Sequence, residues 1–113
     1  MSDGFNSTVL LEDLEIERPL RVTTDNGSAV LVRLSEDEVV AFAAICPHAM
    51  GDLSRGELVN GEIECPMHGW RFDVRSGACV FPRDAQRMRT FPTRIIDGAV
   101  WVKIEKPKWM AED

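Results

Sequence analysis

Tyrosine is absent from the sequence, histidine occurs twice and cysteine three times. An odd cysteine count leaves no complete disulfide framework, so the stapling typical of small secreted domains is not expected and a reducing compartment fits. No apolar run approaches the roughly 20 residues that a membrane-spanning helix needs. The first residues, Met1 to Thr8, lack a basic region, an apolar stretch and a twin arginine. No export signal is therefore expected, and the expected location is cytoplasmic. Basic residues are the minority: 13 Lys and Arg stand against 19 Asp and Glu, a net charge of −6. That balance argues against nucleic acid or an anionic membrane as a partner. Repeats, low-complexity tracts and long linkers are missing too. The 113 residues read as one domain, 1–113, and a hydrophobic content of 44% suffices for a small core.

What is present reads as short strands. Leu20–Thr24 is β-branched, and Asn26-Gly27 offers a tight turn into 29–34. A polar turn at 35–38 precedes an apolar run over 39–45. Asn60-Gly61 separates Glu57–Val59 from Glu62–Glu64. A further strand over 70–74 is closed by Ser76-Gly77, and Asp97-Gly98 turns Thr93–Ile96 back against 99–104. Six or more such segments predict an all-β, antiparallel sandwich or barrel. Residues 12–17 have room for one helical turn. The 82–92 stretch, with Arg83, Arg87 and Arg89, reads as an irregular connection, and the tail over 106–113 as loosely packed.

Two short motifs carry the chemistry. Cys46-Pro47-His48 and Cys65-Pro66-Met67-His68 contain both histidines and two of the three cysteines. Two thiolates and two imidazoles make a four-donor set for a soft metal site. The asymmetry suits a Rieske-type [2Fe–2S] centre, in which two Cys hold one iron and two His the other. Each loop then supplies one ligand to each iron. A Cys₂His₂ zinc site is the competing metal reading, although Cys-x-His matches the common zinc spacing poorly. Bound cysteines must be thiolates and bound histidines neutral. Neutral imidazoles leave the centre less negative than four thiolates would, which raises its potential. The outward ring nitrogens can lose a proton, so oxidation and deprotonation are linked. Gly51 and Gly69 can take positive φ and admit backbone N–H groups toward the sulfides. Pro47 and Pro66 stiffen the loops, and Met67 and Trp70 can shield the site. Cys79, outside both motifs, reads as a small buried hydrophobe.

At CPHAMGDLSRGEL, ECPMHGWRFDVRSGA and FPTRIIDGAVWVKI the chain resembles the Rieske-type ferredoxins, and the likeness spans about 9–104. The resemblance implies the Rieske fold: an antiparallel β-sandwich base with a small cluster-binding subdomain over about 44–73. It implies one Rieske-type [2Fe–2S] cluster held by Cys46, His48, Cys65 and His68, with the histidines at an exposed tip. Within the family, the quinol-oxidising kind adds a disulfide whose cysteines would fall at positions 51 and 67, and hydroxyls that raise the potential. This chain has Gly51, Met67 and no tyrosine. It therefore resembles the soluble ferredoxins of bacterial ring-hydroxylating dioxygenases.

That likeness implies an electron-transfer component rather than an enzyme. It would be a one-electron carrier between an NAD(P)H-dependent flavin reductase and the Rieske centre of a terminal aromatic-ring dioxygenase, and a monomer. The alternative within the family is the small Rieske subunit of an assimilatory NAD(P)H nitrite reductase. Residues 1–64 hold 13 acids and 4 arginines, whereas 65–113 hold 6 acids and 9 bases. Beyond a solvated surface, that split suggests an acidic docking face that steers the chain toward a basic redox partner.

Overall fold

The computed structural model describes residues 4–47, 51–67, 69–83 and 85–105. Among them the expected all-β architecture forms. The strands are β1 (Phe5–Leu10), β2 (Leu20–Thr24), β3 (Gly27–Arg33), β4 (Val39–Ala43), β5 (Glu57–Val59) and β6 (Glu62–Glu64), followed by β7 (Arg71–Asp73), β8 (Cys79–Phe81), β9 (Thr90–Phe91), β10 (Thr93–Ile96) and β11 (Ala99–Lys103). They make three antiparallel sheets in the orders β1-β11-β10, β2-β3-β4-β9 and β5-β6-β7-β8. Helix among the described residues is two single 3-10 turns, Leu11–Asp13 and Leu53–Arg55.

Turn chemistry sets the hairpins. Asn60-Gly61 and Asp97-Gly98 hold positive φ at both central positions, the type I′ condition, and join β5 to β6 and β10 to β11 as expected. The β2–β3 hairpin turns one residue earlier than expected. Thr24 pairs with Gly27, so the apex is Asp25-Asn26. The Thr24 hydroxyl explains the shift: it accepts from the Asn26 N–H at 3.0 Å and donates to the Gly27 carbonyl at 3.1 Å. Two further strands form, β8 just before the 82–92 stretch read as irregular and β9 inside it. β8 forms by pairing Cys79 with Phe72, and β9 by pairing Phe91 with Ala41. β1, with an uneven pattern of its own, forms by pairing with β11. Short strands of this kind owe their existence to neighbours more than to propensity.

The β2-β3-β4-β9 sheet is the central layer. Residues 29–32 are all fully buried, so consecutive side chains face two different cores. Ala29, Leu31 and Ala41 pack toward Val100 and Val102 of the β1-β11-β10 sheet. Val30, Val32 and Phe42 pack toward Ile63 and Phe72 of the β5–β8 sheet, and this second core also contains Cys46 and Cys65. The expected tail at 106–113 lies outside the described residues.

One arginine ties the edge of this stack together. The Arg33 guanidinium donates to the carbonyls of Leu11, Leu14 and Ser35 at 3.2 Å and of Glu36 at 3.0 Å. It thereby anchors the segment after β1 to the β3–β4 turn. Arg33→Met keeps the aliphatic stem and removes the donors. The expected cost is about 2 kcal/mol of stability, read by chemical denaturation. An unchanged denaturation midpoint would show that water replaces the four contacts.

Candidate metal centre

The first motif follows β4. Ile45 forms an isolated antiparallel bridge with Asp52, so the chain leaves and returns side by side. The Cys46 N–H donates to the Gly51 carbonyl at 2.8 Å, and the Leu53 N–H to the Ala44 carbonyl at 2.8 Å. The second motif follows β6 in the same manner. The Cys65 N–H donates to the Trp70 carbonyl at 2.7 Å, and Gly69 donates back to the Cys65 carbonyl at 3.0 Å. Both cysteines therefore begin loops closed by a hydrogen bond to the residue five positions on. Proline follows each cysteine and cannot donate, which leaves the cysteine N–H as the closing group.

The two loops meet. A Cβ on Gly51 would stand 2.6 Å from Met67 Cγ and 3.0 Å from Cys65 Sγ. Gly51 is outside the positive-φ residues, so it serves by leaving space and not by the backbone freedom expected of it; Gly69, with φ of 75°, does need that freedom. Positions 51 and 67, where the quinol-oxidising kind is expected to carry its disulfide, are in contact and hold a glycine and a methionine. Cys46 and Cys65 are 0% and 1% exposed, and none of the three cysteines is in a disulfide. Cys79 is buried as expected, in a row with Phe72. Trp70 packs on the core that contains both motif cysteines, its ring centroid 6.4 Å from that of Phe72. Met67 is 58% exposed, so it shields less than expected.

His48 and His68 lie outside the described residues, as does Met50. Among the described residues no three metal-ligating side chains converge. The described half of the donor set fits a metal–sulfur centre: two buried thiols, each at the mouth of a closed loop, with the loops in contact. Burial supplies the low-dielectric shell that such a centre requires.

Ionic contacts brace this region. Asp52 Oδ1 accepts from the Ser54 N–H at 3.0 Å and the Ser54 hydroxyl at 2.6 Å, and Oδ2 lies 3.4 Å from Arg21 Nη1 on β2. The Ser54 hydroxyl bond, the Ser54 N–H and the two nearby arginines, Arg21 and Arg55, hold the Asp52 carboxyl below its ordinary pKa despite partial burial. Glu38 is lowered by its bidentate bond to Arg75, at 2.9 and 3.0 Å, which links the β3–β4 turn to the β7–β8 turn. Asp73 is lowered chiefly by the Ser76 N–H.

A family comparison matches residues 7–92 to the Rieske [2Fe-2S] domain. The ferredoxin component of the naphthalene 1,2-dioxygenase system of Pseudomonas putida is 34% identical over 104 residues, covering 92% of this chain and 99% of that protein. Other relatives are much longer. The oxygenase component of dicamba O-demethylase from Stenotrophomonas maltophilia is 38% identical over 93 residues, which are 76% of this chain, and the chain spans only 27% of that protein's length. Among solved structures, the ferredoxin of carbazole 1,9a-dioxygenase from Nocardioides aromaticivorans IC177 superposes with a TM-score of 0.84 at 27% identity, covering 91% of this chain and all of that one.

Two outcomes check this geometry. Gly51→Ala drives a methyl group into Met67 and Cys65, so stability falls by about 2 kcal/mol and less metal is retained per chain; adding Met67→Ala restores part of both. Metal analysis and thermal denaturation read the pair, and wild-type values in the single variant would remove the tight contact. Asp52→Asn tests the brace. A carboxyl with a lowered folded pKa stabilises above its ordinary pKa, near 4, and loses that contribution as pH falls through the folded value. The variant is therefore less stable at neutral pH, and the gap closes below about pH 4. A gap that persists in acid would assign the effect to lost packing.

Proposed function

The chain belongs to the Rieske [2Fe-2S] domain family, and from that premise we propose that it is a ferredoxin component of a multicomponent aromatic-ring dioxygenase system. In this reading it carries single electrons from an NAD(P)H-dependent flavin reductase to the Rieske centre of a terminal oxygenase, does no substrate chemistry, and works as a cytoplasmic monomer. The observation that carries the reading is the near end-to-end match to a dioxygenase ferredoxin component, 92% of one chain against 99% of the other. Among the described residues no helix is long and apolar enough to cross a membrane.

The ligand set in this proposal is Cys46, His48, Cys65 and His68. The bound cluster would supply a one-electron couple. The chain's own residues position it: the Cys46 and Cys65 N–H groups close the loops, Trp70 covers the core side, and Gly51 lets the loops touch. The local hydroxyl is already engaged. Ser54 donates to Asp52, and the chain has no tyrosine. Few hydroxyl bonds to sulfur correspond to the low end of the Rieske range, about −150 mV.

Voltammetry of the cluster-loaded protein between pH 6 and 10 is the test. The expected potential is low, flat near neutrality, and falls only in alkaline solution. A high potential that already falls near neutrality would point to quinol-type chemistry instead. His48→Cys and His68→Cys should each lower the potential or block assembly, and a variant with the native potential and spectrum removes that residue from the ligand set. Restoration of NADH-driven turnover in a dioxygenase system lacking its ferredoxin tests the carrier role directly.

A further inference from the structure

A carboxylate at the start of the second loop is left without an ionic partner among the described residues. The register of β5, β6 and β7 sets Glu64 directly opposite Glu57 on one side and Arg71 on the other. Arg71 is engaged elsewhere. Its Nη1 lies 3.8 Å from Glu62 Oε1, and its guanidinium covers the Phe81 ring at 5.6 Å. Glu57 is a like charge directly across, so it opposes Glu64 instead of offsetting it. Asp52, the other acid near the loops, is held by Arg21, Arg55 and Ser54.

The fold holds this carboxylate against the loop. Glu64 ends β6 and immediately precedes Cys65. A Cβ on Gly56 would run into the Glu64 carbonyl, so the chain after the Leu53–Arg55 turn closes on the strand end because position 56 lacks a side chain. At the other end of the residue, Glu64 Oε2 lies 3.5 Å from where a Gly69 Cβ would stand. Glu64 is half-buried, and with Arg55, Glu57, Cys65, Pro66 and Gly69 it lines a cavity of about 420 Å³. The Arg55 side chain is 83% exposed and its Nε is 3.8 Å from Asp52 Oδ2, so water and a second carboxylate already screen that charge. The screening length at 0.1 M salt is about 10 Å, and the Glu64 charge lies within it of whatever the loop holds.

We propose that Glu64 sets the reduction potential of the centre held by the loops: its negative charge opposes the arriving electron and keeps the potential low. A fixed carboxylate beside a redox centre raises the energy of the reduced state above that of the oxidised state by its Coulomb interaction with the added electron. The effect adds to that of the scarce hydroxyl donors. Facing Glu57 across the strand pair destabilises the fold, and such a local conflict is expected where a side chain serves function. The role of Glu64 rests on the cluster reading and is independent of which proteins give and take the electron.

The test is voltammetry of the cluster-loaded protein at a single neutral pH. Glu64→Gln is expected to shift the reduction equilibrium about fivefold toward the reduced form, roughly 40 mV upward at about 59 mV per tenfold for one electron. Its absorption and EPR spectra stay native, and the shift shrinks between about 0.05 and 0.5 M salt. Glu64→Asp keeps the charge and the wild-type potential. Asp37→Asn makes the same change in net charge at the β3–β4 turn, about 17 Å away along β4, and moves the equilibrium by less than about 1.5-fold. Glu57→Gln, one strand farther from the loop, moves it less than Glu64→Gln does. Chemical denaturation of Glu64→Gln gives an unchanged or higher midpoint, because the repulsion from Glu57 is gone. An unmoved potential in Glu64→Gln, or an equal shift in Asp37→Asn, overturns the proposal. A lower midpoint with the native potential does so too, and leaves Glu64 a structural role. If Glu64→Gln takes up too little cluster, Glu64→Ser, also neutral, makes the same comparison. Wild-type protein without the [2Fe–2S] absorption and EPR spectrum would sink the cluster reading itself, whereas a native spectrum with an unmoved potential sinks the role of Glu64 alone.

Discussion

Two backbone hydrogen bonds carry the site: Cys46 N–H to the Gly51 carbonyl and Cys65 N–H to the Trp70 carbonyl. Each closes a six-residue loop that begins with a buried thiol. Without them the thiols would sit on open connections whose polar groups need water, and neither could remain at 0–1% exposure. The closure is possible because the strands before each cysteine, β4 and β6, are held in sheets that do not depend on the loops. Gly51 completes the arrangement, since any side chain there would separate the loops.

The sheets are held by a central layer with two cores. β3 sends alternate side chains to each, so the core containing Cys46 and Cys65 is built on the reverse of the one formed with the β1-β11-β10 sheet. A shift of β3 by one residue would exchange the two sets of side chains, which makes the register strongly specified. The β5–β8 sheet is short and has few residues per strand. One ionic contact from the β3–β4 turn reaches it, Glu38 to Arg75 at the end remote from the loops, while Arg21 on β2 reaches Asp52 where the first loop returns to the central sheet. Both are solvent-accessible, so each contributes modestly; the first orients the small sheet and the second holds the loop.

Much of the fold was legible because hairpin turns are local. Asn60-Gly61 and Asp97-Gly98 adopt positive φ through residue types that tolerate it, and no distant contact is needed to choose the turn. The β2–β3 hairpin shows the limit of such reading, because a threonine hydroxyl moved the apex by one residue. β8 and β9 were not legible. Each has two or three residues and exists only where a partner strand offers its edge.

For the site, the sequence alone determined the donor chemistry. Cys and His at those spacings name a soft metal centre because ligand type is a property of the residue, whatever its surroundings. The burial of both cysteines and the contact between positions 51 and 67 were decided by tertiary structure. Each depends on which segments the sheets bring together across 14 or more positions, as Gly51 and Cys65 are, and no local pattern encodes that distance.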